Sequence, residues 1–230
     1  MPLPTVILPG YLARGRDYYP LQQSLIALGI PTRVVPIRKR DWLPTIGRSV
    51  TPIIKSIDQT VKAILTEYGT KQVNLIGHSA GGWIARIYLG EKIYDKHTWK
   101  AHQFVHTLVT LGTPHYSQER WTRKNLAFVE ENYPGAFYDQ VRYICVAGKA
   151  VYGEKRTPNW FAYNSYRITC GEGNTWGDGI TPIEVAHLPG ATNLTLEGVR
   201  HAPGEHGQPW YGSSNIIPDW ISPLKSHDII

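Results

Sequence analysis

Apolar and polar residues alternate along the chain in two different periods, which indicates strands and helices that follow one another. Short apolar runs that end in glycine or polar residues are typical of buried strands. Longer segments place apolar residues three or four positions apart, which is the spacing of one helix face. The predicted strands are residues 4–8, 33–37, 73–76, 105–111, 141–147 and 193–199. The predicted helices are residues 18–30, 50–68, 80–89 and 216–224.

This alternation predicts the fold class: an α/β domain with a mostly parallel central sheet and helices on both faces. With 230 residues the chain is long enough for one such domain, so we expect residues 1–230 to form a single domain. Residues 113–140 and 149–177 show neither period and are predicted to be long, irregular, aromatic-rich loops. Loops of this kind follow the carboxyl ends of strands, where they would form a lid, line a pocket or pack on the surface.

The segment GHSAG at residues 77–81 joins a predicted strand to a predicted helix and fits the pattern G-x-S-x-G. Glycines on both sides let the chain turn abruptly without Cβ clashes and leave the serine strained at the strand end. The pattern alone arises by chance in on the order of one in ten chains of this length, so the flanking strand and helix carry the specificity. We predict that Ser79 is a nucleophile; the alternative is a glycine-rich turn with a bystander serine.

A serine nucleophile needs a general base that a carboxylate orients, in the chain order Ser, Asp or Glu, His. Asp178 lies between two glycines in a segment that predicts a tight turn, which favours it as the carboxylate. Glu172, also between glycines, is the alternative. Thr181 and Glu184 are predicted to form a helix capping box with a proline at the first helical position.

Nine histidines compete for the role of the base. His201 follows the last predicted strand almost directly, where a loop residue reaches back over the sheet edge. His206 lies on the same loop and is the alternative. His78 is expected to pack beside the serine. His115 is expected near the cleft, but it precedes Asp178 and so breaks the chain order.

Backbone amides are expected to bind the negative charge that develops on the substrate oxygen. One donor is the amide of Ala80, the residue after the nucleophile. The second is expected from the loop after the first strand, where Gly10 permits a close turn that aims the Tyr11 amide into the site. Leu12 is the alternative second donor.

Five motifs together resemble those of lipase-like α/β-hydrolases, and the likeness covers nearly the whole chain. They are LPGY at residues 8–11, GHSAGG at 77–82, LGTPH at 111–115, GDG at 177–179 and VRH at 199–201. The chain is most similar to small bacterial lipases and related hydrolases of photosynthetic organisms. It departs from that family at residues 9–10, where Pro-Gly stands in place of the common His-Gly.

The resemblance implies the α/β-hydrolase fold and a serine esterase or lipase that acts on ester or lipid substrates. In that interpretation Ser79, Asp178 and His201 form a catalytic triad, and Tyr11 and Ala80 form the oxyanion hole. The two-aspartate calcium loop of the family is not evident, so no metal and no cofactor are predicted. An acyltransferase with a lipid alcohol as acceptor is one alternative, and a lipid-binding protein without catalysis is another.

The charge balance adds a candidate partner. The chain carries 24 basic and 18 acidic residues, and basic residues cluster at 38–40 and 120–124. These clusters indicate either an ordinary solvated surface or contact with an anionic membrane surface. No zinc-finger spacing or RNP motif is present, so nucleic acid is not an expected partner. The sequence does not predict the oligomeric state.

The sequence also gives expectations about location. No apolar run approaches the roughly 18 residues of a membrane span, and residues 1–4 lack the basic and apolar parts of a signal peptide. Cys145 and Cys170 are too few for a disulfide framework and are expected to be free thiols. We therefore expect a cytoplasmic protein, with peripheral membrane association as the open alternative.

Overall fold

A computed structural model describes residues 2–156, 158–202 and 207–225. The strands in these residues are β1 (Thr5–Leu8), β2 (Thr32–Val34), β3 (Val73–His78), β4 (Val105–Leu111), β5 (Arg142–Lys149), β6 (Val151–Tyr152), β7 (Trp176–Gly177) and β8 (Thr192–Glu197). Six of them form one parallel sheet in the order β2-β1-β3-β4-β5-β8. The short strands β6 and β7 pair with each other in the antiparallel sense.

Helices connect the strands of the sheet. They are α1 (Tyr19–Ala27), α2 (Thr51–Tyr68), α3 (Ala80–Leu89), α4 (Arg123–Asn132), α5 (Trp160–Cys170), α6 (Ile183–Ala186) and α7 (Pro218–Lys225). Short 3-10 helices lie at Gly15–Tyr18, Lys39–Thr45 and Ala101–Gln103. In the described part of the chain no helix is long and apolar enough to cross a membrane.

Both faces of the sheet are covered, because successive strand residues point to opposite sides. On one side Leu75 of β3 packs with the apolar faces of α2 and α3, including Ile53 and Trp83. On the other side the next residue, Ile76, packs with α1 and α7, including Leu21. The predicted fold class, a mostly parallel sheet with helices on both faces, is confirmed.

The two stretches predicted as irregular loops each contain a helix, so that prediction was wrong. Helix α4 lies within residues 113–140, and helix α5 lies within residues 149–177. Among its apolar residues α4 fully buries only Leu126 and Val129, and charged residues surround them. Two apolar anchors in a charged segment give too weak a period for the sequence to reveal a helix.

The predicted capping box at residues 181–184 does not form. Helix α6 is one turn long, and Pro182 stands at its N-cap without a side-chain cap. The Thr181 hydroxyl instead donates to the carbonyl of Gly112 at 3.0 Å, and Glu184 accepts from the Tyr116 hydroxyl at 3.1 Å. Both side chains therefore serve contacts with the segment after β4, which a local capping pattern does not reveal.

Candidate active site

Ser79 lies at the sharp turn between β3 and α3 in a strained backbone conformation. Its φ of 51° and ψ of −123° fall in a region that residues with a Cβ rarely occupy. The Ser79 amide donates to the carbonyl of Leu111 at 2.9 Å. The hydroxyl of Thr113 donates to the Ser79 carbonyl at 2.8 Å. The neighbouring strand β4 and the segment after it thus hold the strained residue on both sides.

The glycines around Ser79 allow backbone segments to approach each other closely. A Cβ on Gly77 would lie 2.5 Å from the backbone nitrogen of Gly82. A Cβ on Gly81 would lie 2.5 Å from the carbonyl oxygen of Leu8, at the end of β1. Any side chain at these positions would push α3 away from the strands, so the glycines are required by packing as well as by the turn.

Asp178 lies directly after β7 and is fully surrounded by hydrogen-bond donors. One carboxylate oxygen, Oδ1, accepts from the amides of Ile180 at 3.0 Å and Thr181 at 2.7 Å. The other, Oδ2, contacts His201 Nδ1 at 2.8 Å and accepts from the Tyr211 hydroxyl at 2.7 Å. The carboxylate is therefore fixed in one orientation, with Oδ2 directed at the imidazole.

The environment of Asp178 keeps its carboxyl group ionised. Burial alone would raise its pKa, but the charge of His201 and the hydrogen bonds from His201, Thr181 and Tyr211 outweigh burial and lower it. Burial first, and the charge of Asp178 second, raise the pKa of the Tyr211 hydroxyl well above its ordinary value. Tyr211 therefore stays protonated and donates to the carboxylate.

His201 is held by three contacts that leave one ring nitrogen available. Its amide donates to the carbonyl of Asp178 at 3.0 Å, and its own carbonyl is 2.7 Å from Nε2 of His78. Because the ionised carboxylate of Asp178 only accepts, the His201 proton lies on Nδ1. Nε2 then carries the lone pair, which is the state that a general base for a serine hydroxyl requires.

Ser79 and His201 line one cavity of about 360 Å³, together with Tyr11, Tyr18 and Trp210. No hydrogen bond joins the Ser79 hydroxyl to His201 in the described residues. Such contacts are often long without a substrate and shorten when one binds. The structure therefore brings the predicted nucleophile, base and carboxylate to one place.

Of the two predicted oxyanion donors, Tyr11 lines this cavity, and Ala80 directly follows Ser79, which lines it. Ala80 is the first residue of α3, and amides in a first helical turn have no acceptor within the helix. Tyr11 follows Gly10 in a turn that the Ala13 amide closes on the Gly10 carbonyl at 3.1 Å. A Cβ on Gly10 would lie 3.1 Å from Ser79 Cβ, so this loop is in contact with the nucleophile.

The alternative residues lie elsewhere. Leu12 has a φ of 59° and is 44% exposed, and it does not line the cavity at Ser79. Glu172 is exposed, and its carboxylate accepts from the amide of Asn174 at 2.6 Å within its own turn. His206 lies outside the described residues.

His115 belongs to a second cavity, which is larger than the one at Ser79. That cavity has a volume of about 510 Å³ and is lined by Arg86 and His115 among others, but not by Ser79 or His201. His115 is buried against the Thr110 hydroxyl at 3.2 Å, Cys145 Sγ at 3.4 Å and the Arg86 guanidinium at 3.4 Å. We identify the smaller cavity as the candidate active site, because it is lined by the predicted nucleophile Ser79 and the predicted base His201.

Two tyrosines of the site have no motif and were not predicted. Tyr211 donates to Asp178, and its hydroxyl also accepts from the Gly148 amide at 2.8 Å. Tyr18 contacts His78, which does pack beside the serine as expected. The sequence is rich in aromatic residues throughout, so nothing in it distinguishes these two from core tyrosines.

Comparison with protein-family models gives one match. The model described as "PGAP1-like alpha/beta domain" matches residues 40–153, just under half of the chain. This range includes Ser79 and the segment after β4, but it ends before Asp178 and His201. No curated protein matches the chain.

Comparison with solved structures gives similar folds at low sequence identity. An alpha/beta hydrolase enzyme from a sediment metagenome of the Mar Chica lagoon, Morocco, is 17% identical, with 98% of this chain and 93% of that chain aligned and a TM-score of 0.54. Aspergillus fumigatus lipase B is 13% identical over 63% of this chain and 37% of its own, with a TM-score of 0.46. A pyrethroid hydrolase from Sphingobium faniae is 22% identical over 50% of this chain and 41% of its own, with a TM-score of 0.35. The chain thus spans about two-fifths of the length of these last two proteins, and the first one shows the shared fold over nearly the entire chain.

Proposed function

We propose that this protein, whose fold is similar to that of an alpha/beta hydrolase enzyme, is a serine hydrolase that cleaves carboxylic esters. The observation that carries the proposal is that two groups line one cavity and a third holds one of them in place. Ser79 lies on a strained turn at its wall, and His201 lies beside it with Nε2 available. Asp178 holds His201 through Nδ1 at 2.8 Å.

In the first half of the reaction, Ser79 Oγ attacks the carbonyl carbon of the ester while His201 Nε2 takes the hydroxyl proton. The amides of Ala80 and Tyr11 donate to the oxygen that becomes negative. The protonated imidazole is stabilised by the carboxylate of Asp178. It then gives its proton to the departing alcohol, and the acyl group stays on Ser79 as an ester.

In the second half, water takes the place of the alcohol. His201 Nε2 removes a proton from the water, whose oxygen attacks the acyl carbonyl carbon. The carbon–oxygen bond to Ser79 breaks, and the serine recovers its proton from His201. The products are a carboxylic acid and the free enzyme.

Acyl lipids are the substrate class that we favour among esters. Aromatic side chains of Tyr11, Tyr18 and Trp210 line the cavity at Ser79 and provide an apolar wall for an acyl chain. One large apolar side chain is exposed beside this wall, although it does not line the cavity: Leu12 follows Tyr11 and is 44% exposed.

Replacement of the nucleophile tests the proposal. Ser79→Ala is expected to abolish hydrolysis of p-nitrophenyl esters of short and long acyl chains, because no other group forms the acyl-enzyme. Ser56→Ala is the matched control, since Ser56 lies on α2 and its hydroxyl donates only to Pro52 O. An unchanged rate in Ser79→Ala would show that Ser79 is not the nucleophile.

Labelling and product analysis test the rest of the reaction. A fluorophosphonate probe is expected to label folded wild-type protein at Ser79 and to leave Ser79→Ala unlabelled. A folded wild-type protein that takes no label would favour a non-catalytic lipid-binding protein. If acyl transfer exceeds hydrolysis when a lipid alcohol is present, the protein is an acyltransferase and not a hydrolase.

We further propose that the protein meets its substrate on an anionic lipid surface. Three large apolar side chains form what we call the apolar patch: Leu43 (62% exposed), Ile46 (37%) and Trp121 (59%). A Cβ on Gly47 would lie 3.9 Å from the ring of Trp121, so the patch is continuous across two segments. The ring of Tyr11, which lines the cavity, packs on Trp42 of the same region with ring centres 5.1 Å apart.

Basic side chains lie on the same two segments as this patch. We call them the basic rim; all are exposed, and they are Lys39, Arg40, Arg48, Arg120, Arg123 and Lys124. The side-chain amide of Asn125 donates to the Arg48 carbonyl at 3.0 Å, which joins the two basic segments. Exposed apolar side chains next to an excess of basic ones favour a surface of anionic lipid, where each nearby basic residue contributes about 1 kcal/mol.

A further inference from the structure

Four residues form a continuous chain of hydrogen bonds that passes behind Ser79. The Gly10 amide is 2.8 Å from the Tyr18 hydroxyl. That hydroxyl is 2.7 Å from Nδ1 of His78, and Nε2 of His78 is 2.7 Å from the carbonyl oxygen of His201. The chain therefore runs from the loop that carries Tyr11 to the residue that carries the proposed base.

The chemistry of the end groups fixes the direction of every bond in this chain. A carbonyl oxygen only accepts, so the hydrogen of the His78 ring lies on Nε2. Nδ1 of neutral His78 is then an acceptor, and the Tyr18 hydroxyl donates to it. The Tyr18 oxygen in turn accepts from the Gly10 amide, and no donor or acceptor in the chain is left unpaired.

His78 remains neutral in this position. Burial first, and the charge of His201 second, lower the pKa of His78 to about 3. Trp210 packs against both rings, with its ring centre 5.7 Å from that of His78 and 6.0 Å from that of Tyr18. Burial in a medium of low polarity strengthens each hydrogen bond and makes a broken one costly.

The three parts of the proposed site belong to segments that are far apart in sequence. Gly10 and Tyr11 follow β1, and Ser79 follows β3, but His201 follows β8 at the edge of the sheet. His78 is adjacent to Ser79 in the sequence. Its two ring nitrogens therefore connect the Gly10 loop and the His201 segment to the nucleophile. In the described residues the hydrogen-bond connection between the Gly10 loop and His78 runs through the Tyr18 hydroxyl alone.

We propose that His78 and Tyr18 are positioning residues that couple the oxyanion loop to the catalytic base. Through this series of hydrogen bonds they hold the Tyr11 amide and the His201 ring in position relative to Ser79. They do not contact the reacting atoms. This inference rests on the proposed function, in which Tyr11 and His201 take part in ester cleavage.

Removal of one hydroxyl group tests the coupling. Tyr18→Phe keeps the buried ring but breaks two bonds of the chain. The kcat for p-nitrophenyl butyrate is expected to fall by about tenfold to a hundredfold, below the cost of losing an oxyanion donor entirely. KM is expected to stay within about twofold, because the substrate still binds in the same cavity. Rates are normalised to the serine that a fluorophosphonate probe titrates, so unfolded protein does not count.

Tyr94→Phe is the matched control. The Tyr94 hydroxyl is also buried, accepts from the Val50 amide at 2.9 Å and donates to Asn125 at 2.7 Å, but it does not line the cavity at Ser79. The control is expected to lose comparable thermal stability and to keep the wild-type kcat per titrated serine. An equal kcat in Tyr18→Phe and the wild type, or an equal loss in both variants, would overturn the coupling.

A double variant separates one shared chain from two independent effects. Tyr18→Phe and His78→Asn interrupt the same chain, so the combined variant is expected to be no more than about twofold slower than the slower single variant. If the double variant instead loses kcat by the product of the two single fold-losses, the proposal is contradicted.

Nitrogen NMR of the His78 ring tests the chain independently of activity. Wild-type protein is expected to show a protonated Nε2 and an unprotonated Nδ1 from pH 8 to pH 5, and the Tyr18→Phe variant to show a shifted Nδ1 signal. A proton on Nδ1, or a His78 that titrates within this range, would overturn the inference even if ester cleavage is confirmed. A wild type with the expected signals but no ester cleavage and no labelling of Ser79 would instead refute the proposed function.

Discussion

Asp178 is the residue on which the geometry of the site depends most at the scale of single side chains. Its carboxylate takes two backbone amides on one oxygen, and His201 with Tyr211 on the other. The amides fix the orientation of the group, so the second oxygen faces Nδ1 of His201. The function of this aspartate in the proposal is to select the tautomer of the base.

Asp178→Asn tests that function. The amide side chain keeps its oxygen toward the two backbone amides, so its NH2 group faces Nδ1 of His201 and places the imidazole hydrogen on Nε2. That tautomer does not accept the serine proton, and kcat is expected to fall by about 10³ to 10⁴. Glu172→Gln is the control, because the Glu172 carboxylate bonds within its own turn. A larger loss of kcat in Glu172→Gln than in Asp178→Asn would show that Glu172, and not Asp178, orients His201.

The lowered pKa of His78 predicts that the free energy of unfolding depends on pH. Its pKa is 6.5 in the ordinary state and about 3 in the folded protein. Between these values the unfolded chain binds a proton that the folded protein does not, so acidification favours unfolding. The free energy of unfolding is expected to fall by about 2 kcal/mol from pH 7 to pH 5 through this residue alone.

Chemical denaturation at these two pH values measures the effect. His78→Asn does not titrate in this range, so its loss of stability from pH 7 to pH 5 is expected to be smaller than that of the wild type by this amount. An identical pH dependence in both proteins would show that His78 titrates normally when folded.

At the scale of elements, the position of Ser79 depends on the close contact between β3 and α3. Gly77 is the last residue but one of β3, and Gly82 lies in the first turn of α3. The missing side chains let the two backbones touch. The sequence reveals this junction because the glycines, the strand and the helix are all local features.

Gly77→Ala is expected to disturb both the fold and the site. The new Cβ would lie 2.5 Å from backbone atoms of Gly82, which have no flexible end that could move away. We expect a loss of about 1–3 kcal/mol in the free energy of unfolding and a loss of ester cleavage in the folded fraction. Gly29→Ala is the control, since Gly29 has open space around it; its φ of 79° adds a backbone strain that Gly77 lacks, so the control measures strain without the contact. A wild-type rate in Gly77→Ala would show that the contact does not position Ser79.

At the scale of the whole molecule, the parallel sheet decides which face of the protein carries the site. Ser79 follows the carboxyl end of β3, and His201 follows that of β8. In a parallel sheet these ends lie along one edge, which also holds the loop after β1. The segments that carry the apolar patch and the basic rim follow β2 and β4, whose carboxyl ends lie on the same side of the sheet, so we expect a lipid surface in contact with them to face the cavity.

Vesicle binding tests this orientation. Ser79→Ala protein, which does not consume its substrate, is expected to sediment with phosphatidylcholine vesicles that contain phosphatidylglycerol and not with pure phosphatidylcholine. Arg120→Glu with Arg123→Glu is expected to weaken binding by at least about tenfold, since each basic residue contributes about 1 kcal/mol. Salt at 1 M is expected to weaken it as well.

Lys71→Glu with Lys100→Glu provides a control of equal charge. Both lysines are exposed and precede the first residues of β3 and β4, so they lie toward the opposite edge of the sheet. The control is expected to bind vesicles nearly as well as the parent. Equal loss in the two double variants would indicate an effect of net charge alone, and the basic rim would not be a docking surface.

The sequence predicted local features well and distant contacts poorly. The strands, helix α2 with its stop at Gly69, and the turn at Ser79 follow from periods and glycines within a few residues. Helix α4 was missed because its apolar face is narrow, and α5 because its apolar residues lie on the exposed side (Trp160, Phe161, Ile168) as well as on the buried side, which hides the period. The capping box at residues 181–184 was wrong because Thr181 and Glu184 bond to a distant segment instead.

The sequence by itself determined the order of strands and helices, the strained position of Ser79 and the pair of candidates Asp178 and His201, because the hydrophobic period and the glycine turns act locally. Only the tertiary structure decided that Tyr211 supports Asp178 and that Tyr18 and His78 link the first loop to His201. The bond from Tyr18 to His78 spans 60 residues, and the bond from His78 to His201 spans 123. Contacts over such separations exist only when the packed sheet brings the strand ends together, so no local pattern encodes them.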